Sequence, residues 1–162
     1  MRKILITGGA GFIGLHLVKN LVKKKEFEID IIDNFQRGKF DKEFKYISKI
    51  RGVKLIRSDL NKKKIFSKNY SYIFHLSAIL GVENVVKNPY LTLNKNISLT
   101  NKILDIFLKQ KNLKKFIFFS TSEVYAGTLK HFGLKFPTPE KTPLTIESLD
   151  TARPSYMASK IL

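Results

Sequence analysis

The 162-residue chain predicts an α/β fold with a parallel, doubly wound sheet. Three observations predict it. Short β-branched apolar runs alternate with segments of helical period, a glycine-rich turn joins the first run to the first helix, and an aspartate closes the second run.

Ile4-Leu5-Ile6-Thr7 reads as the first strand, and Gly8-Gly9-Ala10-Gly11 as the turn after it. From Phe12 to Lys25 apolar residues at 13, 17, 18, 21 and 22 keep a helical period, and Lys23, Lys24 and Lys25 suit the negative end of the helix dipole. Ile29 to Asp33 is the second strand, residues 34 to 40 a polar loop, and 41 to 50 a weak helix. Val53 to Arg57 is the third strand, with a short helix or turn around 61 to 67. Tyr72 to Leu76 is the fourth strand, and residues 77 to 88 read as a loop. Asn88 and Pro89 fit the cap and first position of a helix reaching about Lys111. Lys115 to Ser120, nearly all apolar, predicts a buried fifth strand. Residues 126 to 154 hold four of the five prolines and read as a long excursion, after which Ser155 to Leu162 begins another helix.

Composition narrows the function classes. Hydrophobic residues make up 43% of the chain, enough for a packed core, and no repeat or low-complexity linker interrupts it. The absence of cysteine excludes disulfides, thiolate metal sites and a cysteine nucleophile. His16 and His131 lack partners at metal-ligand spacing, so no metal is expected, and His75 at a strand end reads as structural. The apolar run after Arg2 and Lys3 is too short for a signal peptide, and nothing approaches the ~20 apolar residues of a membrane span, so a cytoplasmic protein is expected. The net charge of +17 raises the question of nucleic acid. The excess is mainly scattered lysine with five arginines, which reads as solvated faces and a field that suits a small anionic ligand.

The glycine turn carries the first chemistry. Gly9-x-Gly11-x-x-Gly14 follows a strand, opens a helix, and precedes Asp33, 19 residues beyond Gly14 at the next strand end. That context is what dinucleotide binding requires of the motif. Glycine lets backbone amides approach a pyrophosphate, and the helix N-terminus supplies unpaired N–H groups with partial positive charge. Asp33 is placed to accept from both ribose hydroxyls, which favours NAD over NADP, with Arg37 the one residue that argues for a 2′-phosphate. Leu15 stands where a P-loop needs lysine, so that motif is excluded. The fold is therefore read as a Rossmann-type sheet.

A second cluster follows the fifth strand: Ser120-Thr121-Ser122-Glu123-Val124-Tyr125. Tyr156 lies 35 residues beyond Thr121, and Lys160 follows Tyr156 by four, on one helix face. An ammonium beside a phenol favours the phenolate, so Tyr156 can act as general base on a substrate hydroxyl, Thr121 can share that hydroxyl, and Lys160 can bond the nicotinamide ribose.

Together these residues resemble the extended short-chain dehydrogenase/reductase family of nucleotide-sugar epimerases, dehydratases and decarboxylases, along the whole chain. Thr7 to Gly14, with Gly8, Gly11, Phe12 and Ile13, is similar to the family's phosphate turn, and Asp33-Asn34 to its ribose-binding acid. Asp59-Leu60 matches the adenine position, and His75-Leu76-Ser77-Ala78 the segment bordering the cofactor. Asn96 matches the helix asparagine that supports the active-site backbone; Thr121, Tyr156 and Lys160 match the catalytic triad. The resemblance implies oxidation of a sugar hydroxyl, usually at C4, by hydride transfer to bound NAD, a nucleotide-diphosphate sugar as substrate, and a homodimer. Ser122-Glu123 resembles decarboxylases and some dehydratases, with Glu123 either a second acid/base or a loop-shaping residue, whereas Ile79 to Val86 is closer to epimerases. Epimerase, dehydratase, decarboxylase and 4-dehydrogenase stay open, as does a non-catalytic dinucleotide module. Family members usually continue for about another domain, roughly 150 residues. The chain is thus expected to be one NAD-binding domain, 1–162, incomplete at its C-terminal end and without the substrate domain.

Overall fold

The computed structural model describes residues 1–62, 66–148 and 150–162. Five strands, β1 (Arg2–Thr7), β2 (Phe27–Asp33), β3 (Val53–Arg57), β4 (Tyr70–His75) and β5 (Lys115–Phe118), form one sheet in the order β3-β2-β1-β4-β5. Every pairing is parallel, as predicted. The helices are α1 (Phe12–Lys23), α2 (Lys42–Ile47), α3 (Val82–Lys87), α4 (Pro89–Leu108), α5 (Ala126–Phe132) and α6 (Pro154–Ile161), with a 3-10 turn at Ser122–Tyr125. The chain divides into two compact units, Met1–Ser77 with Leu99–Phe119, and Ala78–Ser98 with Ser120–Leu162.

The first unit contains the whole sheet. Strand alternation sends Ile4, Ile6, Ile29 and Ile31 to one face, where they pack with Val18 of α1 and with Phe44 and Ile47 of α2. Leu5, Ile32 and Ile73 go to the other face and meet Ile103 and Ile106 of α4. Each such side chain contributes about 1.5–3 kcal/mol by leaving water. The chain runs outward from β1 through β2 to β3, then returns to β4 on the other side of β1. The reversal leaves a switch point at the C-terminal ends of β1 and β4, where open α/β sheets bind ligands.

Several boundaries differ from expectation for local reasons. Helix α1 stops at Lys23, because Lys25 adopts φ 54, a left-handed conformation that no helix continues through. Helix α2 covers six residues and is capped by Asp41, whose carboxylate accepts from Phe44 N at 2.9 Å. Helix α4 ends at Leu108, with Gln110 Nε2 donating back to the Ile106 carbonyl at 2.8 Å and Gln110 Oε1 accepting from Tyr70 N at 2.8 Å. Strand β5 is half-buried at the sheet edge rather than buried on both faces. Of the helix or turn expected around 61–67, residues 61 and 62 form a turn and 63–65 lie outside the described residues.

A polar trio, with Tyr70 and Asp30 buried and Lys3 half-buried, belongs to this unit. The Tyr70 hydroxyl donates to Asp30 Oδ2 at 2.6 Å, and Lys3 Nζ lies 3.3 Å from the same oxygen. Tyr70 is fully buried, and that burial, with the carboxylate beside it, pushes the phenol well above its ordinary range. Asp30→Ala strands the hydroxyl and the ammonium together. It is expected to cost about 3 kcal/mol in urea unfolding, whereas Tyr70→Phe, which leaves the ion pair, costs about 1 kcal/mol. Equal losses in the two variants would contradict a shared carboxylate.

In the second unit the sequence reading missed two helices. Residues 82–87 form α3, a single turn and a half on Val82, Val85 and Val86, whose spacing is helical but whose β-branched side chains signal strand. The excursion from 126 begins with α5, and its later part is strapped back onto that helix. Thr128 Oγ1 donates to the Pro143 carbonyl at 2.5 Å, and a Cβ on Gly127 would meet the Thr145 carbonyl at 2.0 Å. Only glycine permits that approach. Helix α6 starts at Pro154, one residue before the expected Ser155, because proline suits the first turn of a helix. Among the described residues no helix is long and apolar enough to cross a membrane.

Candidate functional site

In the first unit the glycine turn is built by backbone. Gly8 adopts φ 72 and donates from N to the Ile32 carbonyl at 2.8 Å, while Gly11 N donates to the Gly8 carbonyl at 3.2 Å. A Cβ on Gly14 would stand 2.5 Å from Gly8 O and 2.6 Å from Gly9 Cα, so glycine is what lets α1 close on the turn. Gly11 occupies the cap position of α1 and no side chain caps the helix. The first-turn amides are therefore left to an anion. Phe12 and Ile13 point their side chains outward, 81% and 54% exposed, and a Cβ on Gly11 would meet only Gly8 O, at 3.3 Å. The turn thus offers accessible backbone, which fits a pyrophosphate.

Asp33 does more than the motif implies. Its Oδ2 accepts from Ala10 N at 2.9 Å and its Oδ1 from Phe35 N at 2.8 Å, so the carboxylate ties the end of β2 to the glycine turn. Each oxygen retains a second lone pair for a ribose hydroxyl. Asn34 is exposed, and its side-chain oxygen accepts from Gln36 N at 3.0 Å. Asp59 accepts from Asn61 N at 2.9 Å, while Leu60 is buried in the core, so only its backbone is left for the adenine contact that the resemblance implies.

The switch point is pinned by Thr7, which the sequence reading placed at the end of the first strand and the start of the phosphate turn without giving it a role of its own. Its hydroxyl lies 2.8 Å from His75 Nδ1 and accepts from Ser77 N at 3.2 Å, and its carbonyl accepts from Leu76 N at 3.1 Å. His75 is fully buried and stacks on Phe118 with ring centroids 5.9 Å apart, which suits a structural role. A threonine ending the strand before a glycine turn was the available signal.

In the second unit Thr121 caps the 3-10 turn, its Oγ1 accepting from Glu123 N at 3.3 Å, which leaves the hydroxyl proton to donate. Glu123 faces Arg153 across 3.7 Å, and both line a cleft of about 320 Å³ with Lys130 and Met157. Helix α6 carries Tyr156 half-buried and Lys160 8% exposed, one turn apart. Ala78 is half-buried, and Asn96 is buried with its side-chain amide bonded to the backbone of Ile79 on both edges, at 2.7 and 2.9 Å. That is a brace on the loop after β4.

Burial lowers the Lys160 ammonium from 10.5 to about 8. Below that pH the ammonium is charged in folded and unfolded chains alike, and the folded chain bears the cost of burying it. Between pH 8 and 10.5 the unfolded chain binds more protons, so this group's contribution to stability rises with pH. Lys160→Met, which keeps the apolar stem, is expected to be more stable than the parent at neutral pH by roughly 2–3 kcal/mol, with the gap closing above pH 10 or so. Urea unfolding at the two pH values measures it, and a gap independent of pH would contradict the assignment.

The model of the NAD dependent epimerase/dehydratase family matches residues 4–162. A UDP-N-acetyl-alpha-D-glucosaminuronate decarboxylase of Bacillus cytotoxicus is 40% identical over 76% of this chain and 38% of that protein. A dTDP-D-glucose 4,6-dehydratase of Dictyostelium discoideum is 37% identical over 80% of this chain and 31% of that protein. Among solved structures, the UDP-Glc/GlcNAc 4-epimerase of Campylobacter jejuni superposes with a TM-score of 0.77 at 28% identity, over 99% of this chain and 46% of that one. The UDP-glucose 4-epimerase of Bifidobacterium longum, solved with NAD+ and UDP, gives 0.73 at 25% identity, over 98% of this chain and 46% of that one. The chain thus spans less than half the length of these relatives. With its parallel sheet, its uncapped glycine turn and this match along nearly its whole length, the chain belongs to the NAD-dependent epimerase/dehydratase family.

Proposed function

We propose that the full-length protein oxidises a hydroxyl of a nucleotide-diphosphate sugar, at C4, with Tyr156 as the base. The observation that carries this reading is α6, where Tyr156 stands one turn from a buried Lys160 in a chain of an NAD-dependent family. When bound, NAD supplies the acceptor for the hydride that leaves the sugar carbon as its hydroxyl becomes a ketone. Gly8 and Gly11 leave room for the pyrophosphate, which the first-turn amides of Phe12 and Ile13 would hold, and Asp33 would hold the adenosine ribose. Tyr156 takes the hydroxyl proton. Lys160, still an ammonium below about pH 8, lowers the cost of forming the phenolate. Thr121 donates its hydroxyl proton to the sugar oxygen and holds it toward Tyr156.

For the step after oxidation the reading is decarboxylation of a uronic acid, one of the two kinds of reaction whose enzymes Thr121-Ser122-Glu123 resembles. Dehydration needs an acid for the leaving hydroxyl. The residue after Thr121 is Ser122, a hydroxyl, and Glu123 is engaged with Arg153. A 4-ketouronate needs no such acid: the bond to the carboxylate carbon breaks, its electron pair moves into the ketone, carbon dioxide leaves, and the ring carbon is then reprotonated; return of the hydride to C4, with a proton to its oxygen, would leave a product lighter by carbon dioxide alone. The relative from Bacillus cytotoxicus is named for that reaction. Incubation of the full-length protein with UDP-, GDP- and dTDP-sugars, acidic and neutral, tests both parts through product mass. Loss of carbon dioxide from a uronic acid is expected. Loss of water or unchanged mass with a new sugar would point to dehydration or epimerisation, and no product from any sugar would sink the reading.

A further inference from the structure

We propose that Ser159 is a positioning residue, which couples Asn96 to the Tyr156 carbonyl and so fixes the turn of α6 that carries Tyr156 and Lys160. The proposal rests on the reading of those two residues as the proton-transfer pair.

Ser159 is 2% exposed, and a buried hydroxyl is unfavourable unless partnered. Alanine at the same place would suit the helix better. The hydroxyl therefore has a cost that its bonds must offset. Ser159 Oγ lies 2.6 Å from the Tyr156 carbonyl oxygen and 3.1 Å from Asn96 Nδ2. A carbonyl only accepts, so the single hydroxyl proton goes to Tyr156 and the serine oxygen accepts from Asn96.

The orientation of Asn96 is set independently. Its Oδ1 accepts from Ile79 N at 2.7 Å, and its Nδ2 donates to the Ile79 carbonyl at 2.9 Å. The amide cannot flip without losing both bonds. A directed chain follows: Ile79 N–H to Asn96, Asn96 to Ser159, and Ser159 to the Tyr156 carbonyl. Every member lies within the second unit. It ties the loop after β4 and the first half of α4 to the backbone of Tyr156 itself. A base that must meet a hydroxyl within a few tenths of an ångström depends on such an anchor.

The test is kinetic, in the full-length protein with its nucleotide sugar and NAD. Ser159→Ala is expected to lower kcat on the order of tenfold, with the sugar KM and the dinucleotide Kd within about twofold. Ser159→Thr, which restores the hydroxyl, should recover kcat to within about threefold. Ser159→Cys, close in volume but a weak donor, should fall between them and serves if the alanine variant does not fold. Because Asn96 and Ser159 act in one chain, the double alanine variant should cost no more kcat than Asn96→Ala alone. Unchanged kcat in Ser159→Ala and Ser159→Cys, additive losses with Asn96, or a parallel loss of dinucleotide affinity would each overturn the proposal. Turnover that survives Tyr156→Phe would overturn the functional reading and this inference with it. An inactive Tyr156→Phe beside a fully active Ser159→Ala would overturn this inference alone.

Discussion

Gly14→Ala is expected to weaken dinucleotide binding by at least ~100-fold and to destabilise the first unit by about 2–3 kcal/mol. The added Cβ meets backbone on every near side: Gly8 O at 2.5 Å, Gly9 Cα at 2.6 Å and Gly9 C at 2.9 Å. No side-chain rotation relieves those contacts, so the turn and α1 must separate. Separation moves the first-turn amides and disturbs Ala10, whose N–H is held by Asp33. Gly11→Ala is the informative contrast. Gly11 sits at φ -73 and ψ 170, which alanine adopts without strain, and its Cβ meets only Gly8 O at 3.3 Å. That variant should keep its unfolding midpoint yet lose affinity by roughly tenfold or more, because the methyl group occupies the ground a pyrophosphate needs. Calorimetric titration with NAD and urea unfolding separate the two. Full affinity in Gly11→Ala would mean that the pyrophosphate does not approach the turn.

Tyr156→Phe is expected to lower kcat about a thousandfold while the dinucleotide Kd stays within about twofold. The size follows from what the phenol does. General acid–base groups contribute on the order of 10²–10⁴ in rate, and phenylalanine keeps the ring but not the proton acceptor. Phenylalanine also leaves in place the Tyr156 main-chain carbonyl and its bond from Ser159, so α6 retains its anchor. Thr121→Ala should act more gently on kcat, because that hydroxyl shares the substrate oxygen rather than taking its proton, and it should also loosen the 3-10 turn that Thr121 caps. A Tyr156→Phe protein with more than about a tenth of the parental kcat would assign the base elsewhere.

The two strands that frame the glycine turn were legible because burial on both faces writes them as apolar runs, Ile4 to Ile6 unbroken and Ile29 to Ile32 interrupted only by Asp30. The turn was legible because glycine is required where backbone approaches backbone, and the contacts a Cβ would make at Gly14 show why. Helix α3 was not, because its valines give a helical spacing with strand-forming side chains. Helix α5 was hidden for the opposite reason: Leu129 and Phe132 are exposed, so no apolar stripe marks it, and Gly127 argues against helix until its closeness to Thr145 is seen. At the site, residue type pointed to Asp33, Thr121, Tyr156 and Lys160, but not to partners. That Asp33 braces the turn, that Glu123 faces Arg153, and that Asn96 reaches Ser159 depend on contacts between segments 23, 30 and 63 residues apart, which a linear pattern does not carry.

The central claim is that Tyr156 deprotonates a sugar hydroxyl while the hydrogen on the same carbon leaves as hydride. Its most direct test is a single turnover of the full-length protein carrying NAD, given its nucleotide sugar deuterated at C4 and stopped in alkali, where the reduced dinucleotide survives, before the product leaves. The account predicts deuterium in the reduced dinucleotide with the native protein, and none with Tyr156→Phe. Product that forms while the C4 deuterium never reaches the dinucleotide would contradict it.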